Sequence, residues 1–555
     1  MIKTIHQLVK VQAQIRPDCL AIGEKKRWLT YTHLNEEIET LARSFLSLGL
    51  NKSERVAVFL PKCFESVISI FATSAAGGIF VPINPILKPL QVGHILSDCS
   101  ATILITNKSR YETLKSVLPK SIKDIVLTDD SNEYPSSSSV LSWFQLHTLS
   151  LRNPSLPDIL ESDTAAIFYT SGSSGPAKGV TLTQRNLILG AQSVAQYLDN
   201  SSSDRLLLAL PISFDYGFSQ LTVSFLSGGS CYLFEYLFAK ELIKVVQQQS
   251  ITGLALVPTA WNQLANLEWP KAASQNLRYI TNSGGALLEV ILKKLLKQMP
   301  NVKPFLMYGL TESFRSCFLP PEQALKRPTS IGKAIPNAKI FIINVNGEEC
   351  EPHEQGELVH AGPLVAQGYW GNKEMTERRF KATPNRLKEL PSEQLAVWSG
   401  DIVTKDEEGF IYFVGRNDDM IKTSGYRVSP NEIESVICKH NSVADIVAFG
   451  VPHKQLGQGI VTLITVKPDV QTSDLLLSIK RFCGLHLPNY MTPHHIDFCL
   501  EIPRNPNGKH NKTLLKEQYQ NVFQEIFSKH GGLNMRESKQ GMSAKKGVTV
   551  NVINQ

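Results

Sequence analysis

The chain has 555 residues, 42% of them hydrophobic and 19% charged, with a formal net charge of +7. These are ordinary globular values with length enough for a large core and two domains, and the mild, dispersed positive charge gives no argument for a nucleic-acid partner. Nine cysteines without a C-x-x-C pair predict reduced thiols in a cytoplasmic enzyme and exclude a disulfide frame or zinc site. The N-terminal residues lack an apolar h-region, so no signal peptide is expected.

Taken in order, apolar spacing predicts a helix over Leu34–Leu48, a strand over Val56–Leu60 that stops at Pro61, a helix over Phe64–Ala76 and a strand at Phe80–Val81. Glu65 and the pair Gly77-Gly78 make residues 64–81 a buried helix and strand; no integral membrane association is expected. Strands are predicted at Ala101–Thr106 and Asp124–Thr128, and residues 134–139 read as a turn-rich loop. The apolar run Ala165–Phe168 leads into Tyr169-Thr-Ser-Gly-Ser-Ser-Gly-Pro-Ala-Lys-Gly-Val180, where glycines and hydroxyl residues surround one lysine. Backbone N–H groups, hydroxyls and a point charge in such a loop suit a cluster of anionic oxygens, a triphosphate above all. The order G-x-x-G-x-x-K-G is not that of a Walker loop, since Gly179 stands where the magnesium-binding Ser or Thr would.

Further strand signals at Arg205–Leu210, Gly253–Val257 and Leu277–Thr281 continue the alternation. The expected class is α/β: a large N-terminal domain of mixed, mainly parallel sheets flanked by helices, then a small mobile α+β C-terminal domain. Boundaries are expected at 1–416 for the large domain and 417–522 for the cap, with 523–555 a polar tail predicted to be disordered.

Four more segments accompany the glycine-rich loop. Met307-Tyr-Gly-Leu-Thr-Glu312 offers an aromatic ring, a hydroxyl and a carboxylate, and Ser399-Gly-Asp401 sets a carboxylate in a tight turn. Gly415–Arg427 concentrates charges and glycines at the expected boundary, and Pro503-Arg-Asn-Pro-Asn-Gly-Lys-His510 holds Lys509 in a stiffened loop. Through these five segments the chain resembles the adenylate-forming (AMP-binding) superfamily of acyl-CoA synthetases, luciferases and peptide-synthetase adenylation domains, over roughly residues 5 to 520. Residues 210–218, 308–321 and 397–430 look most like the AMP-forming acyl-CoA ligases associated with exosortase A systems.

The resemblance implies an acid–thiol ligase in two half-reactions. A carboxylate attacks the α-phosphate of ATP and pyrophosphate leaves; a thiol of coenzyme A or of a carrier protein's phosphopantetheine then displaces AMP. Negative charge built on phosphate calls for preplaced cations and donors. Thr170, Ser171, Gly172, Ser173, Ser174, Gly175 and Lys178 match the β- and γ-phosphate loop, Thr311 the α-phosphate ligand, and Glu312 the carboxylate for Mg²⁺. Tyr308 matches the adenine-stacking ring, with Gly284, Gly285 and Ala286 along the base edge, and Asp401 and Arg416 match the ribose ligands. Lys509 matches the lysine that bridges attacking and leaving oxygens. Asp418 matches the hinge about which the C-terminal domain rotates, and Lys422 and Gly425 the face presented for thiolation.

For the acid, Phe214 matches an aromatic gate, and Tyr216 and Ser219 are expected to line the same pocket. Asp215 stands where amino-acid adenylating domains place an aspartate against the substrate ammonium. A buried carboxylate requires a partner, which an α-amino group or Arg315 could supply. An amino acid and a fatty or aryl acid thus both stay open, as do coenzyme A and a carrier protein. The alternatives are an amino-acid adenylating enzyme that loads a carrier protein and a non-catalytic nucleotide-binding relative. The latter predicts loss of Lys178, Glu312 or Lys509, and all three are present.

Overall fold

The computed structural model describes residues 2–523, apart from 130–133, 136–137, 171–176, 236–237, 385–388, 390–393, 417–418, 424–425, 454–455, 468–473, 488 and 507. Three sheets organise the described residues. One runs through Thr164–Thr170, Ile79–Pro82, Arg55–Val58, Ile103–Thr106, Asp124–Leu127 and Val140–Ser142, all parallel neighbours, and is extended antiparallel by Lys178–Thr183 and Gly368–Tyr369. A second has a parallel centre, Ser230–Leu233, Arg205–Leu208, Gly253–Leu256, Tyr279–Asn282 and Lys303–Tyr308. From Tyr308 onward its strands pair antiparallel, through Cys317–Leu319 and Ser330–Ala334 to Ile411–Arg416 and Leu395–Lys405. The expected parallel arrangement therefore holds through the centres of both large sheets; beyond residue 308 short connections leave antiparallel pairing as the accessible choice.

The helix Phe64–Ala75 buries residues on every side, which is why its sequence is apolar all round. It packs on Tyr31–Leu48, a helix closed by Gly49 in the left-handed conformation. An aromatic cluster then joins the two large sheets: Phe218 lies within 5.3–6.3 Å, centroid to centroid, of Phe71, Phe80 and Phe168. Phe168 precedes the glycine-rich loop and Phe218 sits on the buried helix Asp215–Ser227. Two sequence-distant segments with candidate chemistry are thereby held to one core.

Residues after 420 form a third sheet from Ile421–Thr423, Tyr426–Val428, Val443–His453, Gly457–Val466 and His495–Phe498, covered by Pro430–Ile437 and Leu475–His486. Its core is separate, built on Ile433, Ile437, Ile446, Ile460 and Ile479. All nine cysteines are free thiols. No helix of the described residues is long and apolar enough to cross a membrane.

Candidate active site

The glycine-rich segment connects the antiparallel strands Thr164–Thr170 and Lys178–Thr183, whose register sets Thr170 opposite Lys178. Ser171, Gly172, Ser173, Ser174 and Gly175 lie outside the described residues, so the structure describes the two posts of the loop, Thr170 and Lys178. Strand Gly368–Tyr369 pairs with the second post and brings Tyr369 beside it. The Tyr369 hydroxyl donates to Glu312 Oε1 at 2.6 Å. Burial lowers the Lys178 pKa, the nearby Glu312 carboxylate opposes that, and Arg379 and Arg416 lower it further. Lys178 is thus in electrostatic range of one carboxylate and two further cations.

Tyr308 ends its strand with its ring beside Phe413 and its hydroxyl donating to Asp401 Oδ2. Asp401 is 4% exposed and faces Arg416 across the strand pair, its Oδ1 3.6 Å from Arg416 Nε. Burial raises its pKa, against the pull of Arg416 and Tyr308. Oδ1 is buried and has no hydrogen-bond partner among the described residues. A buried acceptor left open beside an aromatic ring fits a hydroxyl of a bound nucleotide. Gly400, just before it, has φ +68, and a Cβ there would come within 2.5 Å of Arg379 Nη1. Ser399-Gly-Asp401 is not the tight turn expected from sequence but part of the strand Leu395–Lys405, and the positive φ at the irregularity that aims Asp401 requires glycine. Gly284, φ +83, follows the strand Tyr279–Asn282, and a Cβ there would approach Val257 at 3.5 Å and Phe214 at 3.9 Å. Gly285 accepts from Asn282 Nδ2 through its carbonyl, and Ala286 continues the loop.

The loop bearing Lys509 is closed on itself by Asn505, whose Oδ1 accepts the Lys509 N–H at 3.0 Å, and it is anchored through Arg504 and His510 to Asp445. Pro506 and Gly508 line a cavity of about 310 Å³ together with Phe214, Pro211, Thr259 and Lys62 of the large domain. Lys509 as a residue is exposed, yet the crowding at its ammonium end lowers its pKa, opposed first by Asp401, with Arg416, Asp215 and Glu312 also in range. The late lysine therefore faces the same cleft as the two carboxylates.

Asp215 opens its helix and is 4% exposed; Arg315 Nη1 donates to its Oδ2 at 2.9 Å. Of the two partners that burial allows, the structure contains Arg315. Tyr216 spends its hydroxyl on Thr281, and Ser219 donates to the Tyr216 carbonyl at 2.9 Å, so both are core positions with their polar groups used internally. Thr311 begins the short 3-10 turn Thr311–Ser313 beside Glu312. Asp418 and Gly425 lie outside the described residues, as does the side chain of Lys422, whose backbone belongs to Ile421–Thr423. Among the described residues no group of three or more His, Cys, Asp or Glu could hold a metal ion. A hard cation would need ligand oxygens from phosphate beside the Glu312 carboxylate, which fits the way Mg²⁺ binds with nucleotides. Sequence reading missed Tyr369 and Arg379; the glycines flanking Tyr369-Trp370 were the only local signal.

Beneath the Thr311 turn, His360 is fully buried with Nδ1 2.9 Å from Ser316 Oγ, and burial lowers its pKa to about 3. The unfolded chain takes up a proton near pH 6.5 that the folded chain refuses. Stability is therefore expected to be full above pH 6.5 and to fall on acidification toward pH 3, by at most about 1.4 kcal/mol per pH unit for this site. Urea titrations at several pH values should show a shallower slope for His360→Gln, and an unaltered slope would remove His360 from the account.

A model of the AMP-binding enzyme family matches residues 9–370, and one of the AMP-binding enzyme C-terminal domain matches residues 432–509. The chain is 28% identical over 518 residues to gramicidin S synthase 2 of Brevibacillus brevis, covering 93% of the chain but only 11% of that much longer protein. It is 26% identical over 521 residues to a long-chain-fatty-acid–CoA ligase of Salmonella typhimurium, covering 88% of the chain and 90% of the relative. Its fold matches the structure of ATP-bound MatB from Rhodopseudomonas palustris with a TM-score of 0.81 at 23% identity, covering 93% and 99% of the two chains.

Proposed function

The chain belongs to the AMP-binding enzyme family, and from that premise we infer that it is an AMP-forming acid–thiol ligase. It activates a carboxylic acid with ATP and passes the acyl group to coenzyme A or to a carrier protein's phosphopantetheine. The observation that carries this reading is that the loop of Lys509 closes one cavity with the large domain, Pro506 and Gly508 lining it beside Phe214, Pro211 and Lys62, with Asp401, Arg416, Asp215 and Glu312 in electrostatic range of the Lys509 ammonium. A lysine from one unit held among the charges of another suits a reaction that gathers nucleotide and acid in one cleft.

In this reading an acid oxygen attacks the α-phosphorus and the bond to the pyrophosphate oxygen breaks. Thr170, Ser171, Ser173, Ser174 and Lys178 hold the outer phosphates, Thr311 the α-phosphate, and Lys509 stands between attacking and leaving oxygens. Glu312, oriented by Tyr369, would hold Mg²⁺, which supplies charge neutralisation on the phosphates. Tyr308 meets adenine beside Gly284, Gly285 and Ala286, while Asp401 and Arg416 take the ribose. Residues 1–416 form the nucleotide and acid domain, and 417–522 a cap that rotates about Asp418 to withdraw Lys509. The thiol, deprotonated, then attacks the acyl carbon and AMP leaves with the bonding electrons of the acyl–oxygen bond, past Lys422 and Gly425.

Similarity to both a coenzyme A ligase and a peptide synthetase supports either acceptor. The Asp215–Arg315 pair speaks against an α-ammonium on Asp215, because the carboxylate already has its cation. The test is release of pyrophosphate from ATP by the full chain across aliphatic, aromatic, dicarboxylic and amino acids. Acid-dependent release with AMP formed on adding coenzyme A or a carrier protein is expected; ATP left intact with every acid would overturn the reading.

A further inference from the structure

Arg315 is held in place by more than its salt bridge. The residue before it, Phe314, has φ 64 and ψ −74, a strained conformation for a non-glycine residue. Two glycines make room for it. A Cβ at Gly190 would lie 2.7 Å from the Phe314 ring, and one at Gly309 would lie 2.8 Å from the Phe314 carbonyl oxygen. The turn throws Arg315 inward, where it is 2% exposed.

The guanidinium is only partly satisfied. Nη1 donates to Asp215 Oδ2 at 2.9 Å and to the Phe314 carbonyl at 2.7 Å, and the cation lies 4.6 Å from the centre of the Tyr216 ring. Nε and Nη2 are buried and have no acceptor among the described residues. Each such group is costly to bury while it lacks a partner. The neighbouring wall, Tyr216, Met307, Phe214, Phe318 and Tyr197, is mostly apolar, and its two hydroxyls are engaged elsewhere, Tyr216 with Thr281 and Tyr197 donating to Met307 Sδ at 2.9 Å. The open pair, Nε with Nη2, is the side-on edge of the guanidinium, whose two parallel N–H bonds match the two oxygens of a carboxylate. Asp215, its anchor, directly follows Phe214, which lines the cavity that Pro506 and Gly508 of the Lys509 loop also line, so this edge borders the proposed reaction centre.

We propose that the acid this chain activates carries a second carboxylate, received by the Nε–Nη2 edge of Arg315, so that the substrate is a dicarboxylic acid. The inference rests on the acid-activation reading above. Asp215 then acts as a positioning residue that fixes the guanidinium, and the strained Phe314 turn keeps the edge aimed whether or not substrate is bound.

The experiment is ATP–pyrophosphate exchange by the full chain with matched acids of three to eight carbons: monocarboxylates, dicarboxylates, ω-hydroxy acids and ω-amino acids, with benzoate, isophthalate and the α-amino acids added. At one chain length the dicarboxylate is expected to exceed its monocarboxylate in kcat/KM by at least about 100-fold, because a buried donor edge rejects an analogue lacking its acceptor. Arg315→Lys keeps the charge but loses the fork, and that ratio should collapse chiefly through KM. Thermal stabilisation by ATP reports whether the variant is folded, and should it not be, the wild-type ratios decide alone. Monocarboxylates or hydroxy acids as good as dicarboxylates, or preference for an amino acid, would overturn the proposal and leave the ligase reading intact. Exchange with no acid at all would overturn both.

Discussion

Lys509→Ala is expected to lower acid-dependent pyrophosphate release by about 10²–10³-fold, a loss of about 3–4 kcal/mol of transition-state stabilisation, with little change in ATP affinity. The size follows from where the ammonium sits. It comes from a loop of the C-terminal unit, shares a crowded cleft with Asp401, Arg416, Asp215 and Glu312, and carries a pKa lowered by that crowding. A cation so placed cannot be replaced by water without losing charge stabilisation where two oxygens exchange on phosphorus. The same substitution should spare thiolation of a presynthesised acyl-adenylate, since the rotated cap no longer presents Lys509. Mass analysis of the thioester formed from synthetic adenylate separates the two steps. Equal loss in both assays would sink the rotating-cap scheme, and near-wild-type pyrophosphate release would remove Lys509 from the chemistry.

Glu312→Gln is the second large effect: a fall of about 10²-fold or more in adenylate formation, with the concentration of Mg²⁺ needed for half-maximal rate rising about tenfold. Glutamine keeps the shape and can still accept from Tyr369, which donates to Glu312 Oε1 at 2.6 Å. What it removes is the negative charge that offsets the cations around Lys178. Tyr369→Phe should be milder, within about tenfold, because it loosens the carboxylate without neutralising it. Should glutamine leave the Mg²⁺ dependence unmoved, Glu312 would be an orienting group for Lys178 and not a metal ligand.

Much of the frame was legible from local pattern. Period and punctuation marked the helix that the structure gives as Tyr31–Leu48 and the parallel strands from Arg55–Val58 to Tyr279–Asn282, since buried strands between amphipathic helices leave continuous apolar runs. Residues 169–180 were recognisable because few functions other than holding anions want hydroxyls, glycines and one lysine together. The antiparallel continuation past Tyr308 was less visible, because its short strands carry little periodicity.

Sequence by itself determined the family and the kind of chemistry to expect: a glycine- and hydroxyl-rich loop with one lysine, a Thr-Glu pair, a Ser-Gly-Asp aspartate and a late lysine in one order along one chain. Only the tertiary structure decided which charges meet. Asp215 could have waited for a substrate ammonium or taken Arg315, 100 residues away, and the sequence could not choose between them; nothing local named Tyr369 as the donor to Glu312. Pairing of buried charges is set by the cost of leaving them unpaired at close range in a poorly polarisable interior, and range in space is a property of the fold rather than of spacing along the chain. The open edge of Arg315 belongs to the same class: the Phe314 turn, cleared by Gly190 and Gly309, leaves Nε and Nη2 without an acceptor among the described residues beside a mostly apolar wall.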